Sequence, residues 1–387
     1  MASIERLKQF FAADRSNAEL ACDLLEALAR QGLHADALSL AGELPEDLQR
    51  QAGIVFRVAQ LHLAQGRYES AINALSALWE REPSAPVAHD LAFALLCAGR
   101  RPEARGRLLE AQARFGESAE YEVLLARLDL FEHDGASAEQ HLHRALLLKP
   151  DDPTAMGLQA LAAFDRGDIE RAAVMAEQCL ARYPDQHEAL LAQGGLALAA
   201  GDAGLSQDIF QRALTRFANS GRALSGLGQS LLALGQVGPA GEALAHAVKT
   251  MPNHIGTWHA LAWWQLIHGR LDEAEASFHS AYALDRNFPE SHGGLAIVAA
   301  VRGQSEEAEG HIARANRLDA RNFSGRYARC LLLHRSGNAE AAQALLDEIF
   351  ADGRIPAAYG GADQLQSFLR LVQAEAAPAP GRVGTRH

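Results

Sequence analysis

One short turn element recurs along most of the chain and limits what the chain can fold into. A glycine is followed five residues later by an alanine, as in Gly66 with Ala71 and Gly167 with Ala172. From Gly32 to Gly337 the element occupies ten places at steps of 33 or 34 residues, with His133 replacing the glycine in one of them and Ser206 replacing the alanine in another. A period of this length is typical of a repeat array, in which each unit packs only against its neighbours.

The sequence pattern predicts that each unit of the array is a pair of helices. Apolar residues at helical spacing precede the glycine, which can adopt the left-handed conformation that ends a helix. The second helix starts with acidic residues or with proline, as at Pro102 and Pro239, where a missing N–H costs nothing. Because two helices cannot bury their apolar faces alone, the units must stack. The sequence therefore predicts an all-α fold.

The period and the placing of small residues resemble the tetratricopeptide repeat. The best single match to that motif contains Trp258, Leu261, Gly269, Ala274, Phe278 and Ala281. The resemblance covers residues 18–356 and implies a right-handed α-solenoid of ten helix-turn-helix repeats. The family is one of binding scaffolds, so the resemblance implies a protein or peptide partner.

The ends of the chain depart from the repeat and predict separate segments. Residues 1–17 are expected to form an N-terminal capping helix, before ten repeats over residues 18–356. After Gly360 and Gly361, an amphipathic pattern predicts a C-terminal capping helix within residues 357–373. Caps of this kind keep the terminal repeats of an array in solution. Residues 374–387 have the composition of a disordered tail.

Charge and composition exclude several classes of function. The net charge of −12 argues against a nucleic-acid partner and against attachment to an anionic membrane, both of which favour basic surfaces. No stretch is long and apolar enough to predict membrane insertion, and the N-terminus lacks the pattern of a secretory signal. We therefore expect a soluble cytoplasmic protein. Abundant alanine and arginine, with only three lysines, suggest a bacterial genome.

No motif for catalysis, a cofactor or a metal emerges from the sequence. The pair Gly226 and Gly228 lacks the third glycine of a dinucleotide site and falls within a repeat helix. His141 and His143 lie two residues apart, so on a helix they point in different directions and would not share a metal. The four cysteines show no close spacing and are expected to be small buried apolar residues: Cys22, Cys97, Cys179 and Cys330. The sequence thus predicts that the chain is not an enzyme.

The resemblance also implies where a partner would bind. In this family the first helices line the inside of the superhelix, and positions 2, 5, 9, 12 and 13 face a groove when the turn glycine is position 15. The predicted binding set comprises the aromatic and basic residues at these positions: Phe56, Phe93, Arg127, Phe131, Phe164, Arg222, His259, Trp263, Tyr327 and Arg335. Leucines at the same positions include Leu198, Leu232, Leu266 and Leu331.

Two interpretations of these residues remain open. The aromatic side chains could fill gaps between neighbouring first helices, or they could line an apolar groove for an extended peptide or a partner helix. Trp263 is the strongest candidate in the second interpretation, since Trp263 and Trp264 place one ring on each side of their helix. The lysine-containing carboxylate clamp of chaperone-binding family members is not reproduced.

Three functions fit these observations. The first is a scaffold or adaptor that recruits a partner protein or peptide through the groove, in a bacterial multiprotein assembly. The alternative is a non-catalytic regulatory or targeting subunit of a separate enzyme, such as a glycosyltransferase. The third is an enzyme with an unrecognised site in the groove. The identity of the partner, the pathway and the oligomeric state are not encoded in a recognisable motif.

Overall fold

The computed structural model describes residues 4–352 together with Leu365, Phe368 and Leu369. Within these residues every regular element is a helix, as the repeat pattern predicts. The chain divides into two compact units, with the boundary between Ala162 and Ala163. The predicted tail, residues 374–387, lies outside the described residues, and only three residues of the predicted cap at 357–373 lie within them.

Unit 1 contains ten helices and the start of an eleventh within the described part of the chain. Their bounds are α1 Ile4–Ala13, α2 Ala18–Arg30, α3 His34–Gly42, α4 Glu46–Gln49, α5 Ala52–Ala64, α6 Tyr68–Arg81, α7 Ala85–Cys97, α8 Arg101–Phe115, α9 Ala119–Phe131, α10 Gly135–Leu148 and α11 Pro153–Asp165. The boundary of the unit falls inside α11. From α5 onward the helices alternate as the first and second members of successive pairs.

Unit 2 continues the same alternation of first and second helices. Its helices over the described residues are α12 Ile169–Arg182, α13 His187–Ala199, α14 Ala203–Arg216, α15 Gly221–Ala233, α16 Val237–Thr250, α17 Ile255–Ile267, α18 Leu271–Leu284, α19 Pro289–Arg302, α20 Ser305–Leu318, α21 Phe323–Arg335 and α22 Ala339–Ala351. Each helix of the unit packs against the next one along the chain, and first helices such as α19 and α21 also pack against each other.

The turn between the helices of a pair has the conformation that the repeat predicts. Gly235, for example, has φ +71°, which is in the left-handed region that glycine adopts without strain. Its N–H donates to the Leu232 carbonyl at 2.9 Å, and the next N–H, of Gln236, donates to the Leu231 carbonyl at 2.8 Å. These two bonds satisfy carbonyl groups that the end of α15 would otherwise leave unpaired. The second helix can therefore start within two residues.

The second helix often starts with an acidic or amide cap. Asp202 accepts a hydrogen bond from the Leu205 N–H at 3.0 Å at the start of α14, and Asp134 accepts one from the Ser137 N–H at 3.0 Å. A side-chain hydrogen bond from Ser137 also lowers the pKa of Asp134. Four of the ten second helices, α10, α12, α14 and α22, have such a side-chain cap, and at these turns local chemistry specifies both ends.

His133 is the one non-glycine residue with positive φ, at +60°, among the described residues. A Cβ in this conformation destabilises the folded chain by about 1–2 kcal/mol. Glycine avoids this cost, but it makes the unfolded chain more flexible, which offsets part of the gain. We expect His133→Gly to raise the free energy of unfolding by about 1 kcal/mol, measured by urea denaturation. His133→Ala keeps the Cβ and is the matched control, so equal midpoints for the two variants would contradict the strain argument.

Unit 1 buries a charged network between three helices. The His141 Nδ1 of α10 lies 2.6 Å from a Glu122 oxygen, and its Nε2 lies 3.6 Å from Asp129. Both carboxylates are on α9 and are buried. Gln112 donates to Glu122 at 2.7 Å and Arg105 donates to Asp129 at 2.8 Å, both from α8. These contacts give the buried charges the partners that such charges require.

Unit 2 fixes the spacing of successive pairs by placing phenylalanine against glycine. Phe210 and Phe278 stand nine residues after their turn glycines, on second helices. A Cβ built on Gly226 would lie 2.2 Å from the Phe210 ring, and one on Gly294 would lie 2.3 Å from the Phe278 ring. A larger residue at Gly226 or Gly294 would have to displace the phenylalanine ring or separate the pairs. The close packing of the pairs therefore requires glycine at these two positions.

These observations confirm the predicted fold class. Each unit is a stack of consecutively packed helix pairs, which is the construction of an α-solenoid. The α1 helix lies within the segment predicted as an N-terminal cap, and the assignment of residues 1–17, 18–356 and 357–373 to separate functions stays a prediction.

Candidate functional site

The ten residues of the predicted binding set have very different surroundings. Four of them lie in unit 1. Phe56 and Phe93 are half-buried and pack against the apolar core of that unit, and Arg127 is half-buried. Phe131 is 54 % exposed, with the Arg101 guanidinium 5.2 Å from the centre of its ring. Phe131 is thus the most accessible aromatic side chain of the set.

In unit 2, Phe164 and Arg222 are brought together at one cavity of about 520 Å³. Its other lining residues come from α13, α14 and α15 and from the segment between α16 and α17: Leu191, Gly195, Leu198, Ala199, Gly201, Phe210, Ser225, Gly226, Gln229, Met251 and His254. The volume lies within the range of ligand sites in proteins, which is roughly 300–1,000 Å³. We call this feature the first-helix cavity.

The wall of the first-helix cavity is apolar because aromatic rings fill the space next to glycines, which have no side chain. Phe164 lies over Gly195, where a Cβ would be 2.5 Å from the ring. Phe210 fills the space next to Gly226 and Gly194, where a Cβ would be 2.2 Å and 2.9 Å from its ring. The absence of a side chain at Gly195 thus lets the Phe164 ring reach from α11 onto α13.

The polar side chains that line the cavity are those of Arg222, Ser225, Gln229 and His254. Arg222 donates two hydrogen bonds to Asp165, at 2.5 Å and 2.9 Å, and this ion pair links α15 with the end of α11. Both side chains remain more than a third exposed, so the pair contributes little to stability and can exchange for other partners. Gln229 donates to the Ser225 hydroxyl at 3.3 Å. The cavity can therefore hold an apolar side chain with a polar group beside it.

Three members of the predicted set are not accessible in this structure. Trp263 and Tyr327 are fully buried and His259 is 2 % exposed. The Trp263 ring packs edge-on against Phe323 and Tyr327, with ring centres 5.8 Å and 5.9 Å apart. A partner cannot touch these three side chains in this conformation, because other side chains already surround them.

His259 also shows the electrostatic effect of this burial. Its Nε2 lies 2.9 Å from the Ser291 hydroxyl, between the rings of Phe278 and Phe288. Loss of solvent lowers the pKa of His259 to about 4, so the ring is neutral at neutral pH. His259 is thus not a cationic contact point for a partner.

Arg335, the last member of the set, is exposed, and its Nη1 donates to the Val301 carbonyl at 3.3 Å. It lies at the end of α21, apart from the residues that line the first-helix cavity. The structure therefore unites Phe164 and Arg222 and leaves Arg335 on its own. That these residues bind a partner stays a prediction.

Several cavity residues were outside the predicted set. Leu191, Ser225, Gln229 and Ala199 stand at groove positions 5, 5, 9 and 13 of their units, so positional counting could have found them. Three others lie elsewhere in the repeat. Phe210 belongs to the second helix α14, Met251 follows the second helix α16, and His254 precedes the first helix α17. No positional signal marks such residues, because they enter the cavity through the packing of one pair on the next.

Reactive side chains form no second site among the described residues. Over the described residues, no group of three histidine, cysteine or acidic side chains could hold a metal ion, and no helix is long and apolar enough to cross a membrane. Cys179 and Cys330 are buried as expected, and burial raises their pKa values to about 11 and about 12. Cys22 is half-buried, and Cys97 is exposed, which differs from the expectation of a buried thiol.

Comparison with known proteins supports the repeat assignment. Models of the tetratricopeptide repeat match residues 62–128, 123–176, 158–220 and 191–254. The APC/C hetero-tetramer Cut9–Hcn1 contains a similar chain, with a TM-score of 0.50, 13 % identity, and coverage of 97 % of this chain and 92 % of that one. A monomeric IFIT1 mutant with Gppp-AAAA is similar at a TM-score of 0.54 and 15 % identity, covering 93 % and 91 %.

These identities are low enough that the likeness concerns the fold alone. What the names of those two structures say they assemble with or bind describes those proteins. Among curated proteins, none matches this sequence.

Proposed function

Because the chain belongs to the tetratricopeptide-repeat family, whose members are interaction scaffolds, we propose that it recruits a protein or peptide partner through the first-helix cavity of unit 2. The observation that carries this proposal is the cavity itself. Apart from Gly226, its lining from α13 and α15 falls at the positions that face the groove in this family, and it is open enough to receive a side chain. The setting is a bacterial multiprotein assembly.

The chemistry of the cavity indicates what the partner presents. Phe164, Leu191 and Leu198 offer an apolar wall to one aliphatic or aromatic anchor side chain. Arg222 and Gln229 stand at its edge and can bond to a polar group beside that anchor, such as a backbone carbonyl or a carboxylate. An extended segment or the face of a helix would supply both features.

The same residues support a non-catalytic role. The one hydroxyl in the cavity, on Ser225, accepts a hydrogen bond from the Gln229 amide, which cannot act as a general base. Arg222 is engaged with Asp165. A cavity of this composition provides binding and orientation, and its partner would supply any chemistry.

We expect Phe164→Ala to weaken binding of the partner by about 2 kcal/mol, which is roughly thirtyfold in Kd. The partner is first identified by affinity capture from native lysate, and its Kd is then measured by calorimetry with purified protein. Ala199→Trp adds bulk at an exposed lining position and should weaken binding without removing any core contact. An intact helical circular-dichroism spectrum is required of both variants.

Two controls separate this site from the rest of the surface. Phe131→Ala removes an exposed aromatic residue of unit 1, and Ala64→Trp adds the same bulk at an exposed position 13 of unit 1, outside the cavity lining. Both should bind as the wild type does. If Ala199→Trp binds normally, or if Phe131→Ala alone weakens binding, the cavity is not the contact site. Capture of a separate enzyme would favour the regulatory-subunit alternative.

A further inference from the structure

Most groove positions of the last three first helices are buried. At positions 5, 9 and 12 of α17, α19 and α21, His334 is partly exposed, and the buried side chains are those of His259, Trp263, Leu266, Ile297, Ala300, Tyr327 and Leu331. In α5 the corresponding residues Phe56, Gln60 and Leu63 are all partly exposed, whereas α13 and α15 are mixed, with Leu198 partly exposed and Leu232 buried. A face that should be open to a partner is therefore covered near the end of the array.

Described residues of the C-terminal segment lie at this covered face. Tyr327, at groove position 5 of α21, donates a hydrogen bond from its hydroxyl to the Leu365 carbonyl at 2.8 Å. Leu365 is 0 % exposed, and Phe368 and Leu369 are also buried. All three belong to one apolar cluster with Trp263, Tyr327 and Leu331.

The spacing of these residues is that of a helical ligand. Leu365, Phe368 and Leu369 are helical and stand at i, i+3 and i+4, which places them on one face of a helix. An amphipathic helix that lays such a face into an apolar groove is a common mode of peptide recognition. Here the helix and the groove belong to the same chain.

We propose that the segment carrying Leu365, Phe368 and Leu369 occupies the groove face of α17, α19 and α21 as an intramolecular ligand. This face is thus a second docking surface, separate from the first-helix cavity, and its fitting partner is a helix with apolar residues at i, i+3 and i+4. The segment blocks the surface in the isolated chain, so any competing helix must displace it. The inference does not depend on partner binding at the cavity.

The probe for this proposal is a fluorescent synthetic peptide of residues 357–373, added to the full-length protein. In the full-length triple variant Leu365→Asp, Phe368→Asp and Leu369→Asp, the charges should expel the segment and leave the face free. We expect the peptide to bind this variant at least about tenfold more tightly than the wild type, by fluorescence anisotropy, because the wild-type site is already filled. A scrambled peptide should bind neither.

A matched control and a milder variant keep the test decisive. Leu147→Asp with Leu148→Asp adds charge at exposed leucines of α10 and should leave peptide binding at the wild-type level. If circular dichroism shows that the triple variant unfolds, Phe368→Ala removes one anchor only and should still bind the peptide more tightly than the wild type. Equal or absent binding by the wild type and the folded variant would overturn the proposal, since the repeats themselves would then bury the face.

Discussion

Replacing Trp263 with alanine is expected to lower the free energy of unfolding of unit 2 by about 4 kcal/mol, which is within the usual cost of removing a buried aromatic side chain. Trp263 is fully buried, and its ring meets Phe323 and Tyr327 edge-on within 6 Å. Neither ring can move into the space of an indole without disturbing α21. The expected effect is therefore loss of stability, measured by urea denaturation with circular-dichroism detection.

The control for this prediction is a residue that positional counting places in the same groove. Phe131 is 54 % exposed, so Phe131→Ala should change stability by less than about 0.5 kcal/mol. If Trp263→Ala unfolds at the same urea concentration as Phe131→Ala and instead loses a partner, Trp263 is a contact residue. The structure would then represent a closed form of that face.

Lowering the pH from 7 to 4 is expected to cost unit 2 about 3 kcal/mol through His259 alone. The ring is buried between Phe278 and Phe288, and its pKa in the folded chain is about 4, against about 6.5 for an exposed histidine. A lowered pKa means that the folded chain favours the neutral ring. The stability is therefore complete above pH 6.5 and is lost progressively as the pH falls towards 4.

His259→Gln removes this titration while keeping a side chain that can bond to Ser291. Urea midpoints measured between pH 7 and pH 4 should fall less for the variant than for the wild type. Burial also lowers the pKa values of His292 and His311, so some acid sensitivity remains in the variant. Parallel curves for the two proteins would show that His259 does not titrate in this range.

The repeat could be predicted from the sequence because its signals are local. A glycine such as Gly235 ends one helix by adopting positive φ, and an acidic residue such as Asp202 starts the next by capping it. Neither effect needs a contact from outside the turn. These turn signals recur about every 34 residues, and the structure confirms a pair of helices at each recurrence.

The candidate site was only partly predictable, because position in the repeat does not set exposure. Phe164 and Arg222 reach one cavity since Gly195 leaves space between α11 and α15, and that space depends on three helices at once. Phe210 enters the same cavity from a second helix, where the groove rule predicts nothing. The division into two compact units at Ala162 also has no counterpart in the regular sequence period.

The all-helical fold, the places of the turns and the residues at groove positions follow from the amino-acid sequence. Which of those positions are open depends on how the helices pack. Trp263 and Gly195 hold the same position 9 in different units, yet one is buried and the other lines a cavity. The difference arises because exposure depends on the side chains that neighbouring helices and Leu365 bring to each face, and those contacts join residues far apart along the chain.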